Sequence, residues 1–449
     1  MKNLFIIIFL VLSFIGLTSC KTKQVTTDYN TVVFGNNTNT ENTDTKEDTV
    51  AMIIDTIPTV IDTVEETVYI KKDVYHIAIV MPFWEDSIRG NWAKLKKEDY
   101  NEYRIPHESE VSMSFLEGII LALERMETEA EFVLHLYDNE KTGAGTNKAL
   151  DEIAEKEIDI ILGPYKKSNT KLIAEFALEN DIIHVSPFSP SKSIGVDNPK
   201  YFMVEPSIEN HLKTMIDYSI DSLNNANLKI IHENNTSGNN YASFLTDYIN
   251  QRNDTVQNVA RKTNYAFVPV SKEADGRKFF NIGEHLDYEQ ENSVVVISFD
   301  DGFVHSMLTN IYSKTETYDI HTFGMPTWLK SNNLRLEYFN NLEVFFTRSL
   351  WNEMDIDEKN NFNEIYEERY EATPNEYAGT GYDIMSIFGN MIEMYGLEFA
   401  QELTQVKYLG AVRDYEFLPI WNEYGEVNRY ENKQVYVIQF SDYELHFMD

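Results

Sequence analysis

The run Ile158–Ser189, IDIILGPYKKSNTKLIAEFALENDIIHVSPFS, constrains the chain more than any other stretch. Ile158-Asp159-Ile160-Ile161-Leu162 reads as an apolar strand, broken by Gly163-Pro164. Leu172, Ile173, Phe176 and Ala177 then recur at helical spacing. Asn180-Asp181 stops that helix, and Ile182-Ile183-His184-Val185 reads as a second buried strand ending at Ser186-Pro187. Strand, helix, strand is a βαβ unit, and such units build parallel sheets covered by helices. In open sheets of this kind ligands sit beyond the carboxyl ends of the strands. Here those ends carry Gly163–Ser168 and Ser186–Ser189, loops rich in hydroxyls and small residues.

This run, with FMVEPS at Phe202–Ser207, FLEGIILALERM at Phe115–Met126 and PNEYAGTGYD at Pro374–Asp383, resembles the type I periplasmic solute-binding proteins. The branch is the one that includes the leucine/isoleucine/valine-binding proteins. The chain is similar in particular to a Bacteroidetes lipoprotein group of amino-acid ABC-transporter substrate-binding-like proteins. The resemblance implies an α/β fold of two lobes, each a parallel Rossmann-like sheet, joined by a hinge. A ligand is then expected in the cleft.

Composition narrows the function classes. With 38 basic against 73 acidic residues, neither nucleic acid nor an anionic membrane suits this surface. Lys2 followed by the apolar run Leu4–Phe14 and then Leu17-Thr18-Ser19-Cys20 reads as a secretory signal. A signal ending at the lone cysteine resembles the bacterial lipobox, which implies that Cys20 becomes the lipidated N-terminus. Lys21 follows it, without the aspartate of inner-membrane retention or the acidic cluster of surface export. The expected location is therefore the outer membrane, facing the periplasm. Residues 1–19 are the expected signal peptide and 20–74 a Thr/Asn/Asp-rich tether. Within it Thr26–Val50 reads as disordered, and Ile53–Ile70 as extended or adding to a sheet edge.

The folded part begins with the strand His76–Phe83, followed by an irregular charged insertion Trp84–Pro106. Helices are predicted at Ser112–Glu127, Thr146–Glu155, His211–Leu223, Tyr241–Gln251, Arg277–His285, Phe303–Tyr312, Ile356–Tyr370 and Thr380–Tyr395. The expected first lobe is 75–205 with 349–408; the second is 206–348 with 409–449, so that Val427–Phe440 pairs with the second lobe. The expected crossing is Glu205-Pro206-Ser207.

No nucleophile elbow, zinc-helix motif, Walker loop or dinucleotide fingerprint is present, and the ten histidines are scattered singly. The reading is therefore a binding protein, not an enzyme, with no cofactor and no metal. Family amino-acid binders hold the ligand carboxylate with hydroxyls and amides after two first-lobe strands. The resemblance carries that role onto Tyr165, Lys167, Ser168, Ser186, Phe188 and Ser189. Short donors at a helix N-terminus favour an anion, but Ser168 and Asn169 could equally cap the helix. Phe188 and Pro190 depart from the family, which places a small residue and a threonine there. In the second lobe the resemblance points to Tyr241, and to Asp300 and Asp301 for a ligand ammonium; Asp301 could instead cap a helix. The expected partner is a small amino-acid-like ligand. The alternative is an envelope protein partner, in the manner of lipoprotein regulators of peptidoglycan synthesis, with a degenerate cleft.

Overall fold

The structure, a computed structural model, describes residues 31–34, 69–92, 94, 104–256, 262–271, 280–350 and 357–448. The expected signal peptide, Cys20 and most of the tether lie outside the described residues. The chain divides into two compact units, Met1–Glu205 with Trp351–Gln434 and Pro206–Leu350 with Val435–Asp449.

The first unit opens with β1 (Thr31–Phe34), in the stretch expected to be disordered. It pairs antiparallel with β3 because Val32 and Phe34 find apolar seats on this unit's core. Then come β2 (Val74–Met81), α1 (Glu85–Trp92), α2 (His107–Arg125), β3 (Glu131–Asp138), α3 (Gly143–Ile153), β4 (Ile160–Leu162), α4 (Lys167–Glu179), β5 (Ile183–Ser186) and β6 (Tyr201–Met203). Part of the charged insertion is therefore helical, with Glu85 and Asp86 in the first turn and Arg89 in the last, as the helix dipole favours.

The second unit carries α5 (Ile208–Asp217), β7 (Asn227–Glu233), α6 (Thr236–Thr255), β8 (Asn264–Val270), β9 (Asn292–Ile297), α7 (Asp301–Tyr312), β10 (Ile320–Phe323), α8 (Leu336–Asn341) and β11 (Phe345–Arg348). Of the helix expected at Arg277–His285, the described residues form only a 3₁₀ turn, Ile282–Glu284. The chain returns to the first unit with α9 (Asp357–Tyr370), α10 (Glu376–Tyr395), α11 (Ala400–Leu403), β12 (Tyr408–Leu409), β13 (Asp414–Tyr415), β14 (Phe417–Trp421) and β15 (Val427–Asn432). It ends in the second with β16 (Tyr436–Ser441) and β17 (Glu444–Met448).

The first sheet runs β1-β3-β2-β4-β5-β6-β15-β14, parallel from β3 through β15. The second runs β17-β16-β11-β10-β9-β7-β8, parallel from β11 through β8. Residues 409–434, expected in the second lobe, belong to the first unit. There β15 pairs with β6 and Tyr430 stacks on Phe202 with ring centroids 4.9 Å apart. Strand character is local, whereas the choice of sheet is made by such distant contacts.

Both α2 and α10 pack against the first sheet with their backbones nearly touching. A Cβ on Gly118 would meet the Ala378 carbonyl at 1.9 Å, and one on Gly381 the Phe115 carbonyl at 2.1 Å. Helix α10 starts a turn earlier than its apolar periodicity predicts, because the Asn375 side chain caps it by accepting from the Tyr377 and Ala378 amides.

Candidate functional site

In the first unit, β2, β3, β4 and β5 end on one side of the sheet, and the loops there hold the candidate residues. Gly163 ends β4 at φ +118°, where a Cβ would meet the Val80 carbonyl at 2.4 Å, so only glycine fits. Fully buried His184 on β5 donates from Nε2 to the Gly163 carbonyl at 2.8 Å. Burial pushes its pKa down to about 4, so the neutral ring pins this loop at physiological pH.

On that base stands a set of aromatic rings. Phe188 lies 5.4 Å from Phe115, 5.7 Å from Tyr165 and 5.9 Å from Tyr377, centroid to centroid, all edge-on. Lys141 reaches over the Tyr165 ring at 5.7 Å and binds Glu108 at 2.5 Å, a hydrogen bond that holds the Glu108 pKa below its ordinary value. Burial raises the Tyr377 hydroxyl well above the usual phenol, with Glu376 and Tyr165 adding to the shift. The bulky Phe188 is thus packed beside the core, where the family pattern has a small residue.

The predicted donors separate into buried and exposed. Ser186 is fully buried beside Tyr201, whose hydroxyl burial pushes up to about 12, and the Ser186 hydroxyl has no hydrogen-bond partner among the described residues. Ser189 is 2% exposed, and its hydroxyl has no hydrogen-bond partner among the described residues. The Nδ2 of buried Asn169 likewise has none. Lys167 and Ser168 are exposed on the first turn of α4. Neither Ser168 nor Asn169 caps that helix: the N-cap position is Lys166, and no side chain accepts from the first turn. Backbone N–H groups there suit an incoming anion.

In the second unit the candidate acids are engaged. Asp300 caps α7 by accepting from the Phe303 amide at 2.8 Å. Asp301, expected as a possible cap, instead accepts at Oδ2 from Ser331 at 2.9 Å and from Asn333 at 2.8 Å. Tyr241, on the second turn of α6, is half-buried with its ring 6.2 Å from Phe299. Burial raises its hydroxyl, with a smaller push from Glu209.

At the expected crossing, Ser207 caps α5, accepting from the Asn210 amide at 3.3 Å. Glu205 accepts from buried Arg413 at 2.7 Å. The turn that carries Arg413 is stapled to α10 by Asp383, which accepts from the Ala411 and Val412 amides at 2.6 and 3.1 Å and from the Tyr415 hydroxyl at 3.0 Å. Burial raises the Asp383 pKa to about 7 against those hydrogen bonds. Sequence reasoning missed Arg413 and Tyr415, and noted Asp383 only as the end of PNEYAGTGYD. It also missed Tyr377 and Lys141 as neighbours of Tyr165.

A family described as "Receptor family ligand binding region" matches residues 117–390, more than half of the chain. The chain belongs to this family. No curated protein matches it in sequence. Among solved structures, an ABC transporter substrate-binding protein from Desulfitobacterium hafniense, complexed with Leu, is 14% identical with a TM-score of 0.51. The match covers 84% of this chain and 100% of that one. A proposed branched-chain amino acid ABC transporter protein from Rhodospirillum rubrum is 10% identical over 84% of this chain and 100% of that one, with a TM-score of 0.57. A branched-chain amino acid transporter protein from Rhodopseudomonas palustris is 12% identical over 83% and 95%, with a TM-score of 0.54. At such identity these likenesses establish the fold, that of the type I periplasmic binding proteins. The family is described by a ligand-binding region, the Desulfitobacterium neighbour is a substrate-binding protein, and the chain has a solute-binding receptor fold.

Proposed function

We propose that the protein is a non-enzymatic receptor for a small amino-acid-like carboxylate, bound at the carboxyl ends of the first unit's strands. The observation that carries this reading is the buried Ser189 hydroxyl, without a partner among the described residues, at the end of β5. A buried donor is ordinarily paired, and one left unpaired at a strand end suits a ligand oxygen. The uncapped first turn of α4 and Lys167 supply the electrostatics for an anion. Phe188, Tyr165 and Tyr377 narrow the space and favour a ligand whose apolar part lies flat against rings. Tyr241 and Asp301 belong to the second unit, and this reading does not rest on them.

We further propose that Cys20 carries lipid and holds the protein at the outer membrane, facing the periplasm. The lipobox-like sequence supports this, and no helix among the described residues is long and apolar enough to cross a membrane. Lipid labelling that survives Cys20→Ala would refute the anchor.

The test of binding is a thermal-shift and calorimetric screen against amino acids, other small carboxylates and muropeptides. A ligand at 100 times its dissociation constant should add about 2.7 kcal/mol of stability. The reading holds if one class binds and Ser189→Ala weakens it about tenfold. A flat screen on folded protein overturns it in favour of an envelope protein partner.

A further inference from the structure

Strand β1 is an unusual addition to its sheet. It comes from a distant part of the chain, since 34 residues (35–68) separate Phe34 from Tyr69. Its register on β3 is antiparallel, Thr31 to His135, Val32 to Leu134, Val33 to Val133 and Phe34 to Phe132. Val32 and Phe34 pack onto the core of the first unit. On its other side β3 is paired along its full length with β2, from Val74 opposite Glu131 to Met81 opposite Asp138. The edge that receives β1 is therefore built without it. Strand β1 covers only Phe132–His135, leaving Leu136–Asp138 of β3 beyond its reach.

An eight-residue strand with one open side presents a row of main-chain donors and acceptors. Strand addition draws affinity from those groups, and selectivity from the seats for alternate side chains. We propose that the outer edge of β3 is a strand-receiving site, filled here by the chain's own residues 31–34 and able to take an extended, alternately apolar segment of a partner protein in their place. The fit is to a segment with apolar side chains two residues apart, in the seats of Val32 and Phe34.

The exchange has a consequence if Cys20 is lipidated, as proposed above, although the strand site itself does not depend on the anchor. With β1 seated, ten residues (21–30) join the lipid to the sheet, at most about 35 Å of chain. With β1 displaced the lead is 48 residues (21–68), at most about 170 Å. Exchange would thus raise the greatest separation the chain allows between the lipid and the first unit.

The experiment uses the mature chain with Cys20→Ser, carrying Thr31→Cys and His135→Cys. Mild oxidation should give an intramolecular disulfide in the monomer, at least tenfold faster than the mispaired control Thr31→Cys with Lys156→Cys. Equal rates, or a disulfide found only in dimers, overturn the seated strand. A labelled peptide of residues 30–36 is then titrated. It should bind Val32→Asp/Phe34→Asp at least tenfold more tightly than the unsubstituted chain. If that variant fails to fold, the disulfide pair gives the same answer: the reduced form should bind the peptide and the oxidised form should not. Equal binding to both, or to neither, overturns the proposal.

Discussion

The two units share an architecture and differ in what stands at their strand ends. In the second, the two candidate aspartates are engaged: Asp300 caps α7 and Asp301 holds Ser331 and Asn333. In the first, the ends carry four packed aromatic rings, two buried serines (Ser186 and Ser189) without a hydrogen-bond partner among the described residues, and an uncapped helix turn. Charge is also buried more deeply there, in Asp383 and Arg413. Internal satisfaction favours stability, and an unpaired buried donor costs stability unless a ligand meets it. The contrast supports the proposal that recognition lies in the first unit.

The largest expected effect tests that difference directly. Asp383→Ala leaves two amides and the Tyr415 hydroxyl without their acceptor, so it should cost about 3–5 kcal/mol in denaturant unfolding. Asp301→Ala in the second unit strands only Ser331 and Asn333 side chains near solvent and should cost about 1 kcal/mol. Equal losses would erase the contrast.

The pH dependence comes next. His184 has its folded pKa lowered from 6.5 to about 4, so its stabilising contribution is present above pH 6.5 and is lost as pH falls toward 4. The full shift corresponds to about 3 kcal/mol. Asp383 is raised from 3.8 to about 7, so its contribution is present below pH 3.8 and is lost as pH rises through 7. Melting curves between pH 4 and 7 should therefore show His184→Asn flattening the acid side and Asp383→Asn flattening the neutral side. A variant that leaves the profile unchanged would remove that group from the comparison.

Gly163→Ala should cost about 1–3 kcal/mol, because the left-handed backbone and the Val80 carbonyl both exclude a side chain. The smallest stability change belongs to Ser189→Ala, expected within about 0.5 kcal/mol of the parent because it breaks no hydrogen bond among the described residues. A large loss there would show that Ser189 is structural and would weaken the binding proposal.

Much of this was legible beforehand. The βαβ rhythm at Ile158–Ser189 appears in β4, α4 and β5, since burial on both faces leaves continuous apolar runs. Tyr165 and Phe188 were singled out from their loops, yet nothing local announces that Tyr377 closes on them from α10. Asp300 shows the same limit in a smaller way. The residue type signalled a cap, but which of the two adjacent aspartates serves was set by the loop that brings Ser331 and Asn333 to its neighbour.

The sequence by itself determined the α/β class and the order of its strands and helices, because periodicity and turn chemistry are local properties. The lipobox-like start is a short motif of the same local kind. Only the tertiary structure decided that β15 joins the first sheet, that residues 31–34 edge it, that Asp383 holds the turn carrying Arg413, and that Arg413 reaches Glu205. Those choices depend on which distant surfaces complement each other in shape and charge. A pattern of apolar residues says that a segment must be covered, and not by what.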